Sequence, residues 1–188
     1  MRTFFCLPID AGLRGTLTTL SEALRRKLGP GAGSWVRPEN FHVTVQFLGE
    51  IDPMLTVDLE RLARGVASRI EPFDLVVDRV GAFPSLERPR VVWAGGEAPE
   101  AFVDLLRTLG RELAPLGFEE ERRTSVTHIT FVRLQGRPVR LDEAVAGLRL
   151  PMHVLRAEKL ILMESQLRSG GAEYAPLFTV PLGGRHGV

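Results

Sequence analysis

Phe41-His42-Val43-Thr44-Val45-Gln46-Phe47-Leu48-Gly49 decides how this chain is read, because its first half returns as Val126-Thr127-His128-Ile129-Thr130-Phe131-Val132. Both runs are rich in β-branched and aromatic residues and alternate polar with apolar, the pattern of a half-buried strand. Side chains on a strand alternate between faces. The spacing therefore predicts His42, Thr44 and Gln46 on one face and Val43, Val45 and Phe47 on the other. In the second run it predicts His128 and Thr130 on one face, with Ile129 and Phe131 opposite. Each strand would offer an imidazole and a hydroxyl to a groove while its apolar side packs on a core.

Two imidazoles beside two hydroxyls suit phosphoryl chemistry. One histidine can take a proton from a nucleophile and the other can give one to a leaving oxygen, because the unperturbed pKa lies near 6.5. A threonine two residues along can donate a hydrogen bond to a non-bridging phosphate oxygen. One His-x-Thr on a strand is an ordinary surface pattern. Two copies, in a chain with 4 histidines, point to a site.

Outward from these motifs, the chain alternates strands and helices irregularly. Thr3 to Leu7 reads as a buried strand. Asp10 then caps a helix whose Leu13, Leu17, Leu20, Leu24 and Leu28 recur at helical spacing, and the glycine-rich Gly29 to Gly33 ends it as a turn. Trp35 to Asn40 leads into the first motif strand. Asp52-Pro53 opens a second helix with the stripe Leu55, Leu59, Leu62, Val66 and Ile70, proline taking the first helical position. Phe73 to Val80 is expected as one strand and Pro89 to Ala94 as another, closed by Gly95-Gly96. A third helix from about Ala98 to Leu116 turns Phe102, Leu105, Leu106, Leu109 and Leu113 inward. Glu119 to Arg123 reads as a solvated connector, Gly136-Arg137-Pro138 as a turn and Asp142 to Leu148 as a short helix. Two final strands, Met152 to about Ser165 and Tyr174 to Leu182, flank Ser169-Gly170-Gly171. The tail from Gly183 to Val188 is expected to be loose. This order is α+β, without the regular alternation of a doubly wound sheet.

Composition excludes several functions. The chain has 188 residues, 44% hydrophobic and 25% charged, as expected for one globular domain with a sizeable core. A net charge of +1 exerts no global pull on nucleic acid or membrane, so any polyanion must be held by a local patch. Of 24 basic residues only Lys27 and Lys159 are lysines; the rest are arginines, whose planar fork matches phosphate oxygens. The single Cys6 forms no intrachain disulfide and reads as a buried, inert thiol. No apolar run is long enough to span a bilayer, and the start lacks the layout of a signal peptide, so the expected location is the cytoplasm. There is no His-Glu-x-x-His, no Gly-x-Ser-x-Gly and no dinucleotide fingerprint, so neither a metal nor a cofactor is expected. His153 near a strand start and His186 in the tail are not read as catalytic.

The chain resembles the two-histidine (2H) phosphoesterase superfamily, and within it the bacterial and archaeal RNA 2′,3′-cyclic phosphodiesterases, also called 2′-5′ RNA ligases. The resemblance rests on HVTV and HITF, which both satisfy that family's His-x-Thr/Ser-x pattern, and it covers nearly the whole chain. RTFFCLPID is similar to the family's first strand and WVRPENFHVTVQFLGEID to its first motif region. GAFPSLERPRVVWAGG is similar to the central hairpin, GFEEERRTSVTHITFVR to the second motif and LILMESQLRSGGAEYAPL to the closing strands. Phe131 departs mildly, since leucine is frequent at that position.

The resemblance implies one bilobal catalytic domain over residues 1–188, with two antiparallel sheets facing a central groove and helices outside. It implies that RNA ending in a 2′,3′-cyclic phosphate, or a cyclic nucleotide, is opened to a 2′-phosphate without a metal. His42 would be the proton donor to the leaving 3′ oxygen, His128 the base that activates water, and Thr44 and Thr130 the phosphate holders. Arg133 matches an arginine that often follows the second motif, although strand parity turns it away from His128 unless the strand bends. Arg37, Arg90 and Phe41 are candidate RNA contacts, with the core as the competing place for Phe41. A monomer is expected. Two alternatives stay open: a reversible 2′-5′ RNA ligase acting on tRNA-like ends, and a non-catalytic RNA-binding module of the same fold.

Overall fold

A computed structural model describes residues 1–119, 126–135, 141–145, 148–168 and 171–184. The connector beyond Glu119, the Gly136-Arg137-Pro138 turn, Ser169-Gly170 and the end of the tail with His186 lie outside the described residues. Among the described residues, ten strands and four α-helices run in the order β1 (Arg2–Pro8), α1 (Ala11–Leu28), β2 (Gly33–Trp35), β3 (His42–Glu50), α2 (Thr56–Ala67), β4 (Phe73–Val77), β5 (Arg79–Phe83), β6 (Val91–Glu97), α3 (Glu100–Leu113), β7 (Val126–Leu134), α4 (Leu141–Val145), β8 (His153–Ala157), β9 (Lys159–Arg168) and β10 (Gly171–Pro181). One four-stranded sheet has the order β10-β9-β1-β3 and the other β2-β7-β6-β5, with β4-β8 as a small third sheet. All pairings are antiparallel. The two motif strands, β3 and β7, thus belong to different sheets, and the α+β expectation is met.

The helices form where the leucine spacing places them. Asp10 accepts a hydrogen bond from the Leu13 N–H at 2.7 Å and starts α1, which buries Leu13, Leu17, Leu20 and Leu24. Asp52 caps through the Met54 N–H at 2.9 Å, but Pro53 opens a 3₁₀ turn over Pro53–Leu55, and the α-helix starts only at Thr56. In α3 all five expected residues are buried, and the helix tightens into a 3₁₀ turn over Ala114–Leu116. No helix among the described residues is long and apolar enough to cross a membrane. Cys6 is fully buried, and burial pushes its thiol up to about 12. A shared core joins the sheets, with Phe5, Leu7, Val43 and Val45 from one and Val92, Ala94, Ile129 and Phe131 from the other.

Three strand expectations need correction. Phe73 to Val80 is two strands in two sheets: β4 pairs with β8, then Asp78 donates its N–H to the Gly95 carbonyl and β5 joins β6. Met152 to Ser165 likewise divides at Glu158, into β8 and β9. The charged pairs Asp78-Arg79 and Glu158-Lys159 interrupt both runs, but a charged pair on one strand reads the same as an exposed stretch, so periodicity does not show where the chain changes partner. Third, Gly95 and Gly96 sit inside β6. A Cβ on Gly95 would stand 1.9 Å from the Thr127 carbonyl oxygen, and one on Gly96 would stand 2.1 Å from that of Val76. Glycine there admits the close approach of neighbouring backbone.

Candidate active site

The groove takes its shape from one irregularity that occurs in both motif strands. Across β1–β3, Cys6 pairs with Thr44 and Phe5 with Gln46, so Val45 is an extra residue. Across β6–β7, Trp93 pairs with Thr130 and Val92 with Val132, so Phe131 is extra. Each bulge follows the motif threonine directly and reverses the parity of what comes after. Gln46 is consequently buried at 2% exposure and donates to the Glu119 carbonyl at 2.6 Å, while Phe47 emerges at 50%. This reverses the faces expected for Gln46 and Phe47. Phe131 and Val132 are both fully buried, and Arg133 emerges on the groove side. Phe47 and Arg133 therefore occupy equivalent positions, five residues after their histidines. The bend required to bring Arg133 to the groove is supplied by this bulge.

His42 and His128 lie half-buried on the two sides of the groove. His42 Nδ1 is 2.7 Å from the Asn40 carbonyl oxygen, and its Nε2 is 3.0 Å from Thr44 Oγ1. A carbonyl only accepts, so Nδ1 carries the hydrogen and the neutral ring receives the Thr44 hydroxyl at Nε2. Phe4 lies at a ring-centroid distance of 4.8 Å and Tyr174 packs edge-on at 5.5 Å. Asn40, 8% exposed, also donates its side-chain amide to the Ala172 carbonyl at 2.7 Å, tying the turn before β3 to β10. Burial above all, joined by the charges of His128 and Arg133 and opposed by the Asn40 carbonyl, lowers the His42 pKa to about 4. In the free protein His42 is thus neutral at pH 7. His128 is held edge-on by Phe83 at 5.0 Å, with Trp93 at 6.3 Å.

Two cavities meet between the histidines. One, of about 570 Å³, contains His42 and is walled by Phe4, Trp35 and Tyr174, with Arg2 and Arg37. The other, of about 410 Å³, contains His128 with Phe83, Pro84 and Arg90. Thr44, Thr130, Phe47 and Arg133 line both. The two hydroxyls and one guanidinium converge where the cavities join, a donor set suited to phosphate oxygens.

Arg37 lies in the His42 cavity, 3.9 Å from Glu39, and Arg90 in the His128 cavity. Phe41 is not in the groove. It is 3% exposed and packs edge-on against Phe131 at 5.8 Å, which removes it as an RNA contact. Phe41 precedes His42 on the strand, and the same alternation that sends His42 out sends it in. Arg2, Phe47, Tyr174 and Phe83 are groove residues that sequence reading missed. Only Phe47 had a local signal, and the bulge hid it. His153 is a structural group, its Nε2 2.9 Å from Asp10 Oδ2 at the start of α1.

The chain is similar to known proteins over nearly all of its length. Residues 7–93 match the model of the LigT-like phosphoesterase family. An RNA 2′,3′-cyclic phosphodiesterase of Methanothermobacter thermautotrophicus is 32% identical over 94% of this chain and 96% of its own. One from Thermotoga maritima is 30% identical over 95% and 94%. Among solved structures, a Thermus thermophilus protein superposes with a TM-score of 0.76 at 26% identity, covering 99% of this chain and 100% of its own. Escherichia coli LigT in complex with 3′-AMP does so with a TM-score of 0.71 at 26% identity, over 96% and 97%.

Proposed function

Because the chain belongs to the LigT-like phosphoesterase family, we propose that it hydrolyses the 2′,3′-cyclic phosphate end of RNA to a 2′-phosphate, with His42 and His128 as the proton-transfer pair. The observation that carries this reading is the convergence of Thr44, Thr130 and Arg133 at the junction of two cavities, each holding one histidine. Water attacks phosphorus and gives a proton to His128. The bond from phosphorus to the 3′ oxygen breaks, and that oxygen takes a proton from His42 Nε2. The threonine hydroxyls and the Arg133 guanidinium face the charge that grows on the non-bridging oxygens. His42 keeps its Nδ1 hydrogen on the Asn40 carbonyl throughout, so the proton it loses is the one facing the groove. No step requires a metal.

The site is completed within one chain and the lone thiol is buried, which supports a bilobal monomer acting in the cytoplasm. The test is incubation of an RNA ending in a 2′,3′-cyclic phosphate with the protein in excess EDTA. The expected product is the 2′-phosphate alone. A 3′-phosphate product, or complete loss of turnover reversed by a divalent ion, refutes the reading.

The lowered pKa of His42 makes a second prediction. A donor with a pKa of about 4 is almost wholly neutral at pH 7 in the free protein. A phosphate anion at Thr44 and Arg133 favours the imidazolium, so binding must raise the pKa of His42. Its NMR titration midpoint should move up when a nucleoside 2′-phosphate is added. The pH optimum of kcat, which reports the bound state, should lie above that of kcat/KM, which reports the free one. A midpoint indifferent to the anion places the phosphate away from His42.

A further inference from the structure

We propose that Asn40 is a positioning residue for His42: its side chain, held by the β9–β10 hairpin, fixes the peptide unit whose carbonyl orients the imidazole. The inference rests on the hydrolytic reading and adds to it a residue that acts through His42. The Asn40 carbonyl and the Phe41 N–H belong to one planar peptide unit. Its carbonyl receives the His42 Nδ1 hydrogen at 2.7 Å, while its N–H donates to the Pro38 carbonyl at 3.2 Å. The tilt of this plane therefore sets the direction in which His42 Nε2 faces the groove. Both side chains that flank the plane are fastened. Phe41 is buried in the core against Phe131, which belongs to the other motif strand. Asn40, also buried, donates its amide to the Ala172 carbonyl at 2.7 Å. Ala172 lies on β10 opposite Leu167 and two residues before Tyr174, whose ring packs edge-on against His42. The hairpin thus reaches His42 twice, through the Tyr174 ring at its side and through Asn40 at its Nδ1.

The chemistry of the tie selects the residue type. The acceptor is a main-chain carbonyl, so the side chain must donate, and it must do so while buried near a ring that gains and loses a proton. A lysine or arginine would donate but would set a second cation against the imidazolium. An ionised carboxylate only accepts and would repel the Ala172 carbonyl. Asparagine donates and carries no charge at any working pH. The local turn cannot replace this anchor. Pro38–Asn40 is a single turn of 3₁₀ helix, whose hydrogen bonds have poor geometry, and it is closed by the 3.2 Å bond from Phe41 to Pro38. Without the bond to β10, the carbonyl that holds Nδ1 would be free to tilt, and the ring would tilt with it.

The experiment is a double-mutant cycle in kcat on a 2′,3′-cyclic mononucleotide, with Asn40→Ala, His42→Ala and the two combined. A residue that acts through His42 matters only while His42 is present. Asn40→Ala should lower kcat by at least about tenfold, toward the roughly 10²-fold that a 1 Å misplacement costs. In the His42→Ala background the same change should alter kcat by less than about twofold. An equal loss in both backgrounds would make Asn40 a structural residue, and an unchanged kcat in the single variant would end the proposal. The pH profile is a second readout. A carbonyl at Nδ1 favours the charged ring, so loosening it lowers the proton affinity of His42, and the high-pH limb of kcat should move to lower pH. His128, Arg133 and Tyr174, which also bear on the ring, are untouched by the substitution. A limb that stays in place would mean that the carbonyl has not moved, and that overturns the tie. One measurement needs no variant and decides the matter if Asn40→Ala does not fold. In the unaltered chain the Asn40 side-chain amide should be protected from hydrogen exchange, as read by NMR, and exchange as fast as that of an exposed asparagine removes the bond to Ala172. Failure of the unaltered chain to hydrolyse the substrate, or full activity of His42→Ala, would instead strike the proposed function itself.

Discussion

His42→Ala and His128→Ala should each lower turnover of a 2′,3′-cyclic phosphate by roughly 10²- to 10⁴-fold, the range of general acid–base catalysis, and the double variant should lose little more than either alone. The non-additivity follows from the proposed mechanism, since a proton relay missing one end gains little from the other. The fold should survive both changes. Each ring faces the groove, while the adjacent Val43 and Ile129 make the core contacts. A leaving group that needs no proton separates the two roles. On an activated aryl phosphodiester, His42→Ala should recover much of its rate and His128→Ala should not. Recovery in His128→Ala would exchange acid and base. Full activity of either variant on the cyclic phosphate would end the two-histidine mechanism.

Much of this arrangement was legible before any coordinates. The alternation around His42 and His128 gave two strands with correct faces as far as each threonine, and leucine spacing gave the buried sides of α1 and α3. Legibility stopped at Val45 and Phe131. A bulge is defined by the partner strand, and nothing in either local pattern shows that one extra residue stands opposite Phe5-Cys6 or Val92-Trp93. That is why Gln46 and Phe47 exchanged faces, and why Arg133 could be tied to the groove only by resemblance. Strand exchange at Asp78 and Glu158 was missed for a related reason: the charged pairs Asp78-Arg79 and Glu158-Lys159 mark the breaks, but only the partner strands show that the chain changes sheet there. Tyr174 and Arg2 reach the His42 cavity by way of the β9–β10 hairpin and β1, a neighbourhood no periodicity encodes. The repeated bulge, with Phe47 and Arg133 in equivalent places, shows that the two halves correspond in backbone as well as in motif. One side presents a ring and the other a cation, so the halves of the site are not chemically alike.

Gly95→Ala should be the most damaging small substitution outside the histidines, lowering stability by roughly 4 kcal/mol or more, the range reserved for a specific steric failure. Gly95 stands in register opposite His128 in the β6–β7 pair. Its added methyl would lie 1.9 Å from the Thr127 carbonyl oxygen and 3.0 Å from the His128 Cα, and backbone cannot swing aside as a side-chain tip can. The strands must part at the second motif. At roughly 2–4 °C per kcal/mol for a chain of this size, the melting temperature should fall by about 8–16 °C. Turnover should fall as well, measured well below the new midpoint, because His128 moves with its strand. Two other glycines provide the control. Outside their own helices, Gly15 in α1 and Gly65 in α2 have nothing within 4 Å of an added Cβ among the described residues, so alanine there should stabilise by roughly 0.5–1 kcal/mol through helix propensity alone. Opposite signs at chemically identical substitutions would locate the constraint in the approach of β7. An unchanged melting temperature for Gly95→Ala would mean that the two strands tolerate a wider spacing, and with it a second motif less rigidly held than the groove geometry requires.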